Sequence, residues 1–595
     1  MAEMIKVSDY VRDFFENKGI KNVFLLSGGM MMHLLDSISK SSKIQYVCNH
    51  HEQACAIAAE AYARVTGDVS LCYATSGPGA TNTITGIAGA WLDSSPVVYI
   101  TGQSRASLTA RGAGIPELRM LGNFEVDIVE IVKSITKYAL FVDKALDIAY
   151  HLEKAFYLAG HGRPGPVLLD IPLDIQGSMI NPDQLTHFIP EEESAFDVSQ
   201  FDEVLQVLKS SKRPVIIAGH GIRVAKEVER FRNLINKVGI PVVLTQLAND
   251  LLTYNDENYI GKVGLRGDRA GNFAVQHADV IVTIGSSLHI TTTGYELEEF
   301  APQAKKIVID IDTAVLKKNE SVSQLQINCD VATAINALSG LSTAGDWNEW
   351  HEKLTKWKLL FPIVKEPHPR NDDQINTYDL IDTLSDRLIG NEIVISDAGS
   401  LYYILGQAFK TKKGQRVIIS GALGAMGYAL PASIGASFAA PHENVICITG
   451  DGSMQLNIQE LQTIYHYKLN IKIVVINNKG YASIRNSQAS FLSGHIAGAS
   501  FDTGVDFPDW SDIAAAYNIP FLKEDKLSAL PELLNKILAE KGPVFLEIVV
   551  PENVVMIPAV TSVRLPDGSF KANRLHEMTP DLSTEQLIAA GLFTN

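Results

Sequence analysis

The chain has 595 residues, 46% of them hydrophobic and 20% charged, which is typical of globular proteins and long enough for several domains. Lys and Arg number 51 and Asp and Glu 67, so the net charge of −16 argues against broad binding to nucleic acid or anionic membranes. No apolar run approaches the roughly 18 residues of a membrane span, and no signal peptide is visible at the start.

The cysteine pattern predicts the redox compartment. None of the five cysteines forms a CxxC pair, so we expect neither a disulfide scaffold nor a structural zinc site. Such free cysteines are typical of a reducing compartment, which predicts a cytoplasmic protein.

Short apolar runs alternate with helical patterns along most of the chain. In chain order, the runs are 23–26, 69–74, 97–101, 167–171, 215–218, 242–244, 280–284, 307–311, 393–395, 417–419, 445–449, 471–476 and 544–549. Runs that are apolar throughout suit strands covered on both faces, as in parallel sheets. The alternation therefore predicts α/β layers joined by right-handed crossovers.

Two polar stretches interrupt this pattern, at residues 181–199 and 342–373, and we interpret both as linkers. The second contains three tryptophans and is predicted to carry a helix around 347–359. The chain is thus predicted to form three doubly wound α/β domains with mainly parallel sheets, at 1–180, 195–340 and 372–560. A C-terminal tail at 561–595 follows, and the first and third domains could be distant copies.

The segment GDGSMQLNIQELQTIYHYKLNIKIVVINNKGY, from Gly450 to Tyr481, carries the strongest functional signal. Asp451 follows one predicted strand and Asn478 follows the next, 27 residues later. One strand–helix–strand unit has about this length, so both side chains should lie at the carboxyl edge of neighbouring parallel strands, where α/β sheets bind ligands.

The residue types in this segment suit a divalent cation and a diphosphate. Asp451 and Asn478 offer hard oxygen ligands, as Mg²⁺ prefers. Gly450 and Gly452 permit close approach of the backbone to a phosphate, and Ser453 begins a helix whose N–H groups favour anions. The alternative is a GDG turn and a polar strand end that bind nothing.

An Ala-rich helical pattern in CNHHEQACAIAAEAYARVTG begins near Glu52, with apolar residues beside the carboxylate. From these residues alone, two interpretations stay open. Glu52 is either a catalytic carboxylate or a negative charge that complements the N-terminal end of the helix dipole.

Together these motifs resemble the thiamine diphosphate (ThDP)-dependent enzymes, and most closely the acetolactate synthase group. The resemblance extends to ATSGPGATN (74–82), SSPVVYITGQ (94–103), GRPGPVLLDIPLD (162–174) and GALGAMGYALPA (421–432). It implies the ThDP-enzyme fold, with a pyrimidine-binding domain, a central domain and a diphosphate-binding domain. It also implies a homo-oligomer, either a dimer or a dimer of dimers, whose active site spans two chains.

The resemblance assigns roles to individual residues. Glu52 would hydrogen-bond N1′ of the aminopyrimidine and so activate ThDP, and Mg²⁺ would be held by Asp451, Asn478 and the backbone oxygen of Gly480. Met426 would prop the cofactor in its bent form, whereas without the family it would be a core methionine that fills a gap. The implied cofactor-binding residues are Ser27, Gly28, Pro78, Asn82, Gly424, Met426, Gly450, Gly452, Ser453 and Tyr481.

Several departures from the family pattern bear on FAD. Leu173 replaces a lysine, and the segment that usually carries an FAD-binding arginine reads SLHITTTG at 287–294. FAD binding is therefore uncertain. Three nearby residues could compensate, or they could be solvated surface arginines: Arg223, Arg266 and Arg269.

Other departures concern the substrate pocket, for which we expect Gly29, Phe124 and Ser487. Phe124 replaces a glutamine of the acetolactate synthases, and Ser487 replaces a tryptophan that shapes their acceptor pocket. Loss of an indole vacates a large volume, so the pocket could admit an acceptor larger than a 2-oxo acid. Alternatively, Phe491 fills the space. The long tail resembles carboligase-like members that act in deoxysugar and surface-polysaccharide pathways.

The expected activity is decarboxylation of a 2-oxo acid, with pyruvate as the expected donor, and transfer of the acyl unit to a carbonyl acceptor. Three rival activities remain: true acetolactate synthesis, cleavage of a 1,2-dione, and non-oxidative decarboxylation with His50, His51 or His495 as proton donor. A ThDP-binding protein without catalysis is a fourth possibility, against which Glu52, Asp451 and Asn478 together argue.

Overall fold

The computed structural model of the chain describes residues 4–115, 117–192, 195–341 and 347–592. Three six-stranded sheets follow one another along the chain, and their strands pair in parallel. Most central strands are buried along their whole length, as expected of sheets covered by helices on both faces. The predicted α/β fold is therefore confirmed.

The first domain contains one large sheet and a short ribbon. Its six-stranded sheet has the order β3-β2-β4-β5-β7-β6, and β1 pairs with β8 in an antiparallel ribbon. Its elements are β1 (Ile5–Lys6), α1 (Val7–Asn17), β2 (Asn22–Leu25), α2 (Met32–Ser39), β3 (Gln45–Cys48), α3 (Glu52–Thr66), β4 (Ser70–Ala74), α4 (Pro78–Asn82), α5 (Ile84–Leu92), β5 (Val97–Gln103), α6 (Ala110–Ala113), α7 (Ile128–Val132), β6 (Tyr138–Phe141), α8 (Ile148–Gly160), β7 (Val167–Pro172), α9 (Leu173–Gly177) and β8 (Met179–Ile180).

The central domain has the sheet order β11-β10-β9-β12-β13-β14, which is the strand order of dinucleotide-binding doubly wound sheets. Its elements, with the following linker helix, are α10 (Phe201–Ser210), β9 (Pro214–Ala218), α11 (Gly221–Val224), α12 (Val228–Val238), β10 (Val242–Leu244), β11 (Tyr259–Lys262), α13 (Arg269–Gln276), β12 (Val280–Ile284), α14 (Ile290–Thr293), β13 (Lys305–Asp310), α15 (Thr313–Lys318), β14 (Leu325–Asn328), α16 (Val331–Leu338) and α17 (Asn348–Leu360). Helix α17 confirms the helix predicted around 347–359.

The third domain has the order β16-β15-β17-β18-β20-β19, which repeats the strand order of the first domain. This common order agrees with the idea that the two domains are distant copies. Its elements are α18 (Thr377–Arg387), β15 (Ile393–Ser396), α19 (Ser400–Ala408), β16 (Arg416–Ile419), α20 (Ala429–Ala439), β17 (Val445–Gly450), α21 (Asp451–Leu456), α22 (Glu460–Tyr467), β18 (Ile471–Asn477), α23 (Ala482–Phe491), α24 (Trp510–Ala516), β19 (Phe521–Glu524), α25 (Leu530–Ala539) and β20 (Val544–Val549).

The C-terminal tail crosses back to the central domain. It contains β21 (Ala559–Val560), β22 (Ser562–Arg564), β23 (Phe570–Ala572), β24 (Met578–Thr579) and α26 (Thr584–Ala590). Asn272 of the central domain donates to the carbonyl oxygen of Leu575 (2.8 Å), and Trp357 of α17 donates to that of Ala590 (2.8 Å). The tail is therefore part of the packed structure.

Four strands of the large sheets were not predicted: β6, β11, β14 and β19. Each lies at an edge of its sheet. An edge strand is covered less completely and alternates polar with apolar residues, so it gives no continuous apolar run. The segments LQIN and FLKE show this mixture.

The first and third domains share a hydrophobic core around α3 and α20. These helices cross so closely that a Cβ on Gly435 would lie 2.0 Å from the backbone oxygen of Ala58. A buried polar network adds to the contact, since Arg64 donates to Glu60 and to the hydroxyl of Tyr428 (3.2 Å), which itself donates to Glu60 (2.6 Å).

No helix among the described residues combines the length and the apolar character that a membrane crossing requires. The five cysteines are free, and four of them are buried.

Candidate functional site

The two polar strand ends predicted to converge do so at the carboxyl edge of the third-domain sheet. Strand β17 ends at Gly450, which lies beside Ile476 of β18. Asp451 begins α21 and accepts hydrogen bonds from the backbone N–H groups of Gly452 (2.7 Å), Asn478 (3.0 Å) and Gly480 (3.2 Å). The carboxylate thus joins the ends of two neighbouring strands, and its burial raises the pKa of Asp451 to about 6.

The donors at this edge fit a hard divalent cation. Asp451 supplies a carboxylate, Asn478 an amide oxygen and Gly480 a backbone oxygen, which is the ligand chemistry that Mg²⁺ takes. Among the residues that the structure describes, no cluster of three or more His, Cys, Asp or Glu could hold a metal ion. The candidate magnesium site therefore depends on one carboxylate supplemented by carbonyl oxygens.

Space for a diphosphate lies beside these donors. A Cβ on Gly450 or on Gly424 would meet no atom within 4 Å, so the backbone is open to a ligand at both positions. Gly452 differs, because a Cβ there would lie 2.2 Å from the ring of Tyr481. Ser453 is buried in the first turn of α21, and its hydroxyl hydrogen-bonds Asp397.

Asp397 follows β15 and was not predicted as a site residue. Its carboxylate accepts hydrogen bonds from the backbone N–H groups of Gly427 (3.0 Å) and Ala429 (3.0 Å), so it fixes the loop that carries Met426. The Met426 side chain is 36% exposed. The alternative interpretation of Met426 as a gap-filling core residue is therefore wrong.

Glu52 begins α3 and is only 7% exposed. Its carboxylate accepts a hydrogen bond from Nδ2 of Asn82 (2.9 Å), and a Cβ on Gly79 would lie 3.3 Å from its other oxygen. The carboxylate is thus enclosed between the starts of α3 and the short helix α4. An exposed charge at a helix N-terminus needs no such partner, so the geometry favours the functional interpretation of Glu52.

His51, considered above as a proton donor, caps α3. Its Nδ1 accepts a hydrogen bond from the backbone N–H of Gln53 (3.0 Å). His50 is tied to the third domain through its backbone N–H, which donates to Glu460 (2.9 Å).

The remaining predicted residues of the first domain also lie at the carboxyl edge of its sheet. Ser27 and Gly29 are exposed in the loop after β2, and Pro78 is at the first position of α4. Gly28 lies against β4, since a Cβ there would be 2.4 Å from Cβ of Thr75. The first-domain candidates therefore form one surface.

Phe124 is 71% exposed and has a positive φ of 56°, which is unusual for a bulky residue. Glu125 fixes its loop, because that carboxylate accepts hydrogen bonds from the backbone N–H groups of Ala110, Leu121 (2.8 Å) and Gly122 (2.9 Å). The fold therefore holds the aromatic ring outward.

Ser487 lies on α23, where its hydroxyl donates to the carbonyl oxygen of Ser483 (3.0 Å). It lines a large cavity. The ring of Phe491, the residue that could have filled the space, lies 5.4 Å from that of Phe570 in the tail.

The cavity measures about 1370 Å³ and extends between the third and central domains. Gly399, Gly424 and Ser487 line its third-domain end. Ser286 and Asp310, near the carboxyl ends of β12 and β13, line its central-domain end. A cavity of this volume exceeds the roughly 300–1,000 Å³ of an ordinary small-molecule pocket.

The interpretation of three arginines as solvated surface residues is wrong. Arg223 pairs with buried Asp250 (3.0 Å), and Arg269 is buried in an ion pair with Glu366 (2.6 Å). Arg266 lines the cavity and donates to a backbone oxygen of the tail. The partners come from sequence-distant segments, so local sequence gave no signal for this burial.

Comparisons with known proteins agree with this geometry. The profile described as "Thiamine pyrophosphate enzyme, N-terminal TPP binding domain" matches residues 5–121. The corresponding central-domain profile matches residues 201–338, and the C-terminal TPP binding domain profile matches residues 397–548.

Relatives match nearly the whole chain. "Acetolactate synthase large subunit" of Lactococcus lactis is 35% identical over 559 residues, which cover 93% of this chain and 94% of that protein. "Acetolactate synthase 1, chloroplastic" of Nicotiana tabacum is 33% identical over 584 residues, covering 95% and 84%. The chain therefore belongs to the thiamine pyrophosphate-dependent enzymes, in the acetolactate synthase-like group of that family.

Proposed function

We propose that the protein is a Mg²⁺- and ThDP-dependent enzyme that decarboxylates a 2-oxo acid, with pyruvate as the proposed donor, and transfers the acyl unit to a carbonyl acceptor. The observation that carries the proposal is the convergence of Asp451, Asn478 and Gly480 on one sheet edge. The enclosed Glu52 in the first domain supports the same function.

The residues would divide the work of binding and activation. Asp451, Asn478 and Gly480 would hold Mg²⁺, and Gly450 with Ser453 would receive the diphosphate. Bound ThDP would supply the electron sink for decarboxylation. Glu52, oriented by Asn82, would hold a proton at the pyrimidine ring nitrogen.

The proposed assembly is a homodimer or a dimer of dimers. Glu52 and its partner Asn82 belong to the first domain, whereas the metal donors belong to the third. Large apolar side chains are exposed near both candidate surfaces, among them Phe124 and Leu456. A second copy of the chain would cover them and bring a first-domain edge to a third-domain edge.

The proposed acceptor is bulky, such as a sugar-type carbonyl compound, because Ser487 opens onto the large cavity. FAD is not part of the proposal. The arginine-containing segment is absent, and Arg223 and Arg269 are engaged by carboxylates of the protein. A visible absorption spectrum of the purified protein tests directly for a bound flavin.

The proposed location is the cytoplasm, which the five free cysteines support. Fractionation of the source cells would test this location.

Labelled pyruvate supplied with a panel of aldehydes, 2-oxo acids and nucleotide-linked keto sugars tests the activity, with products read by mass spectrometry. We expect labelled CO₂ and an acyl adduct of a bulky acceptor. Acetolactate from pyruvate alone would favour a true acetolactate synthase, and accumulation of free aldehyde would favour a decarboxylase. Turnover of cyclic diones without pyruvate would favour a 1,2-dione hydrolase.

A further inference from the structure

A buried arginine lies directly behind the candidate magnesium site. Arg485 is in α23, in the turns that follow residues 478–480, which we call the metal loop. The residue is 8% exposed. The sequence motifs assign it no role, and nothing in the proposed chemistry uses it.

The guanidinium of Arg485 is bonded mainly to backbone oxygens. Nη1 donates to the carbonyl oxygens of Lys479 (3.2 Å) and Ala499 (3.0 Å). Nη2 donates to the carbonyl oxygen of Asn478 (2.9 Å) and lies 3.5 Å from its side-chain Oδ1. Nη2 also donates to the carbonyl oxygen of Glu552, which follows β20. One side chain therefore joins the metal loop to two other segments.

The backbone of the metal loop needs such support. Lys479 and Gly480 have φ values of 55° and 142°, so two successive residues adopt backbone conformations that most residues rarely take. A Cβ on Gly480 would lie 2.4 Å from Nη1 of Arg485, so the guanidinium is packed directly against the loop. Because the donors of an arginine form a rigid planar fork, they fix the positions of the oxygens that they bind.

We propose that Arg485 is a positioning residue that holds the metal loop, so that Asn478 Oδ1 and the backbone oxygen of Gly480 face the cation. The inference rests on the proposed Mg²⁺- and ThDP-dependent function. A guanidinium is positive and has no lone pair for a metal, so Arg485 acts only through the oxygens that it orients. Groups that orient metal ligands in this way typically change metal affinity or activity by about 10- to 100-fold when they are removed.

The test uses Arg485→Met and Arg485→Lys in the full-length protein. ThDP binding is measured by calorimetry at a series of Mg²⁺ concentrations, and turnover is measured over the same series. We expect Arg485→Met to raise the Mg²⁺ concentration for half-saturation by about 10- to 100-fold. We expect turnover at saturating Mg²⁺ to stay within a few fold of wild type. Arg485→Lys, which keeps the charge but spans fewer oxygens, should fall in between.

A matched control separates positioning from charge. Lys479 lies in the metal loop itself, but its side chain is 68% exposed and lies 3.6 Å from the carboxylate of Glu552. Lys479→Met removes one positive charge at the same place and leaves the guanidinium contacts in place. We expect its Mg²⁺ half-saturation to equal that of wild type.

Three results would overturn the inference. The first is an unchanged Mg²⁺ half-saturation in the Arg485 variants. The second is an equal loss of turnover at every Mg²⁺ concentration, which indicates a merely structural residue. If Arg485→Met does not fold, Arg485→Lys decides alone, and wild-type half-saturation in it is the third. Failure of the wild type to bind ThDP with Mg²⁺ would instead overturn the proposed function itself.

Discussion

The first and third domains build the same sheet and use its carboxyl edge differently. Both have the same strand order, and in both an edge strand leads into a helix, α3 or α20, that packs against its counterpart. In the first domain, that helix begins with an enclosed carboxylate, Glu52, held by one side-chain hydrogen bond from Asn82. In the third domain, Asp451 follows a central strand and accepts three backbone hydrogen bonds.

This difference separates two kinds of carboxylate. Backbone N–H groups from two strand ends fix Asp451, which suits a permanent ligand of a cation. Glu52 has a single neutral partner, which leaves its other oxygen able to accept or share a proton. A shared fold therefore provides the edge, and the few residues at the strand and helix ends decide its chemistry.

The largest expected effect comes from Glu52→Gln, which removes the proton-accepting oxygen and keeps the size of the side chain. We expect kcat to fall by about 10²- to 10⁴-fold, the usual range for loss of a group that transfers a proton. Calorimetry should show ThDP still bound, because the third-domain site is intact. The exposed Glu130→Gln serves as the control, and unchanged turnover in Glu52→Gln would remove the proposed role.

Asp451→Asn tests the other half of the comparison. It removes the only carboxylate of the candidate magnesium site, so the Mg²⁺ concentration for half-saturation should rise by at least the roughly 100-fold found when supporting groups are lost. ThDP binding should weaken with it, in contrast to Glu52→Gln. Asp502→Asn, an exposed acid in the same domain, should bind Mg²⁺ and ThDP as wild type does. Equal Mg²⁺ and ThDP titrations in Asp451→Asn and wild type would contradict the assignment.

Asn82→Ala should have a smaller effect, because Glu52 is retained and only its orientation is lost. A hydrogen bond to a charged group contributes about 1.5–3 kcal/mol, which corresponds to about a 10- to 100-fold decrease in kcat. Thr81→Ala is the matched control, since the Thr81 hydroxyl donates to the carbonyl oxygen of Pro78 (3.2 Å). The idea that Asn82 orients Glu52 would be wrong if both variants had the same kcat.

The smallest effect concerns stability and pH. Burial raises the pKa of Asp170, in β7, to about 7, although Thr101 and Gln103 donate hydrogen bonds to it. The folded state therefore binds this proton more tightly than the unfolded state, so the stabilisation is complete below about pH 4 and is lost as the pH rises through 7.

Asp170→Asn keeps a neutral side chain at every pH. We expect its Tm to fall less than that of wild type between pH 5 and pH 8, by a few degrees. Melting curves of both proteins at these two pH values check this, with the exposed Asp143→Asn as a control. Parallel shifts in all three proteins would contradict the raised pKa.

Much of the fold followed from the sequence, because central parallel strands are apolar along their whole length. Edge strands such as LQIN and FLKE lack that pattern and were missed. The convergence of Asp451 and Asn478 was predicted by the rule that neighbouring parallel strands end at one edge. The same rule could have found Asp397, which follows the apolar run 393–395.

Other features were beyond local patterns. Arg485 binds backbone carbonyl oxygens, which leave no trace in the residue types around it. The burial of Arg269 depends on Glu366 in the linker and on backbone oxygens of the tail, about 100 and 300 residues away in the chain. Such long-range partners appear only once the domains are packed together.

The most direct test of a site shared between two subunits is complementation between chains. Glu52→Gln and Asp451→Asn are each expected to be inactive, for different reasons. In a mixed dimer, one site combines Glu52 of one chain with the intact metal donors of the other. We predict that co-expression of the two variants restores activity that neither shows alone. If isolated mixed dimers stay as inactive as the two parents, Glu52 does not act on a site in a second chain.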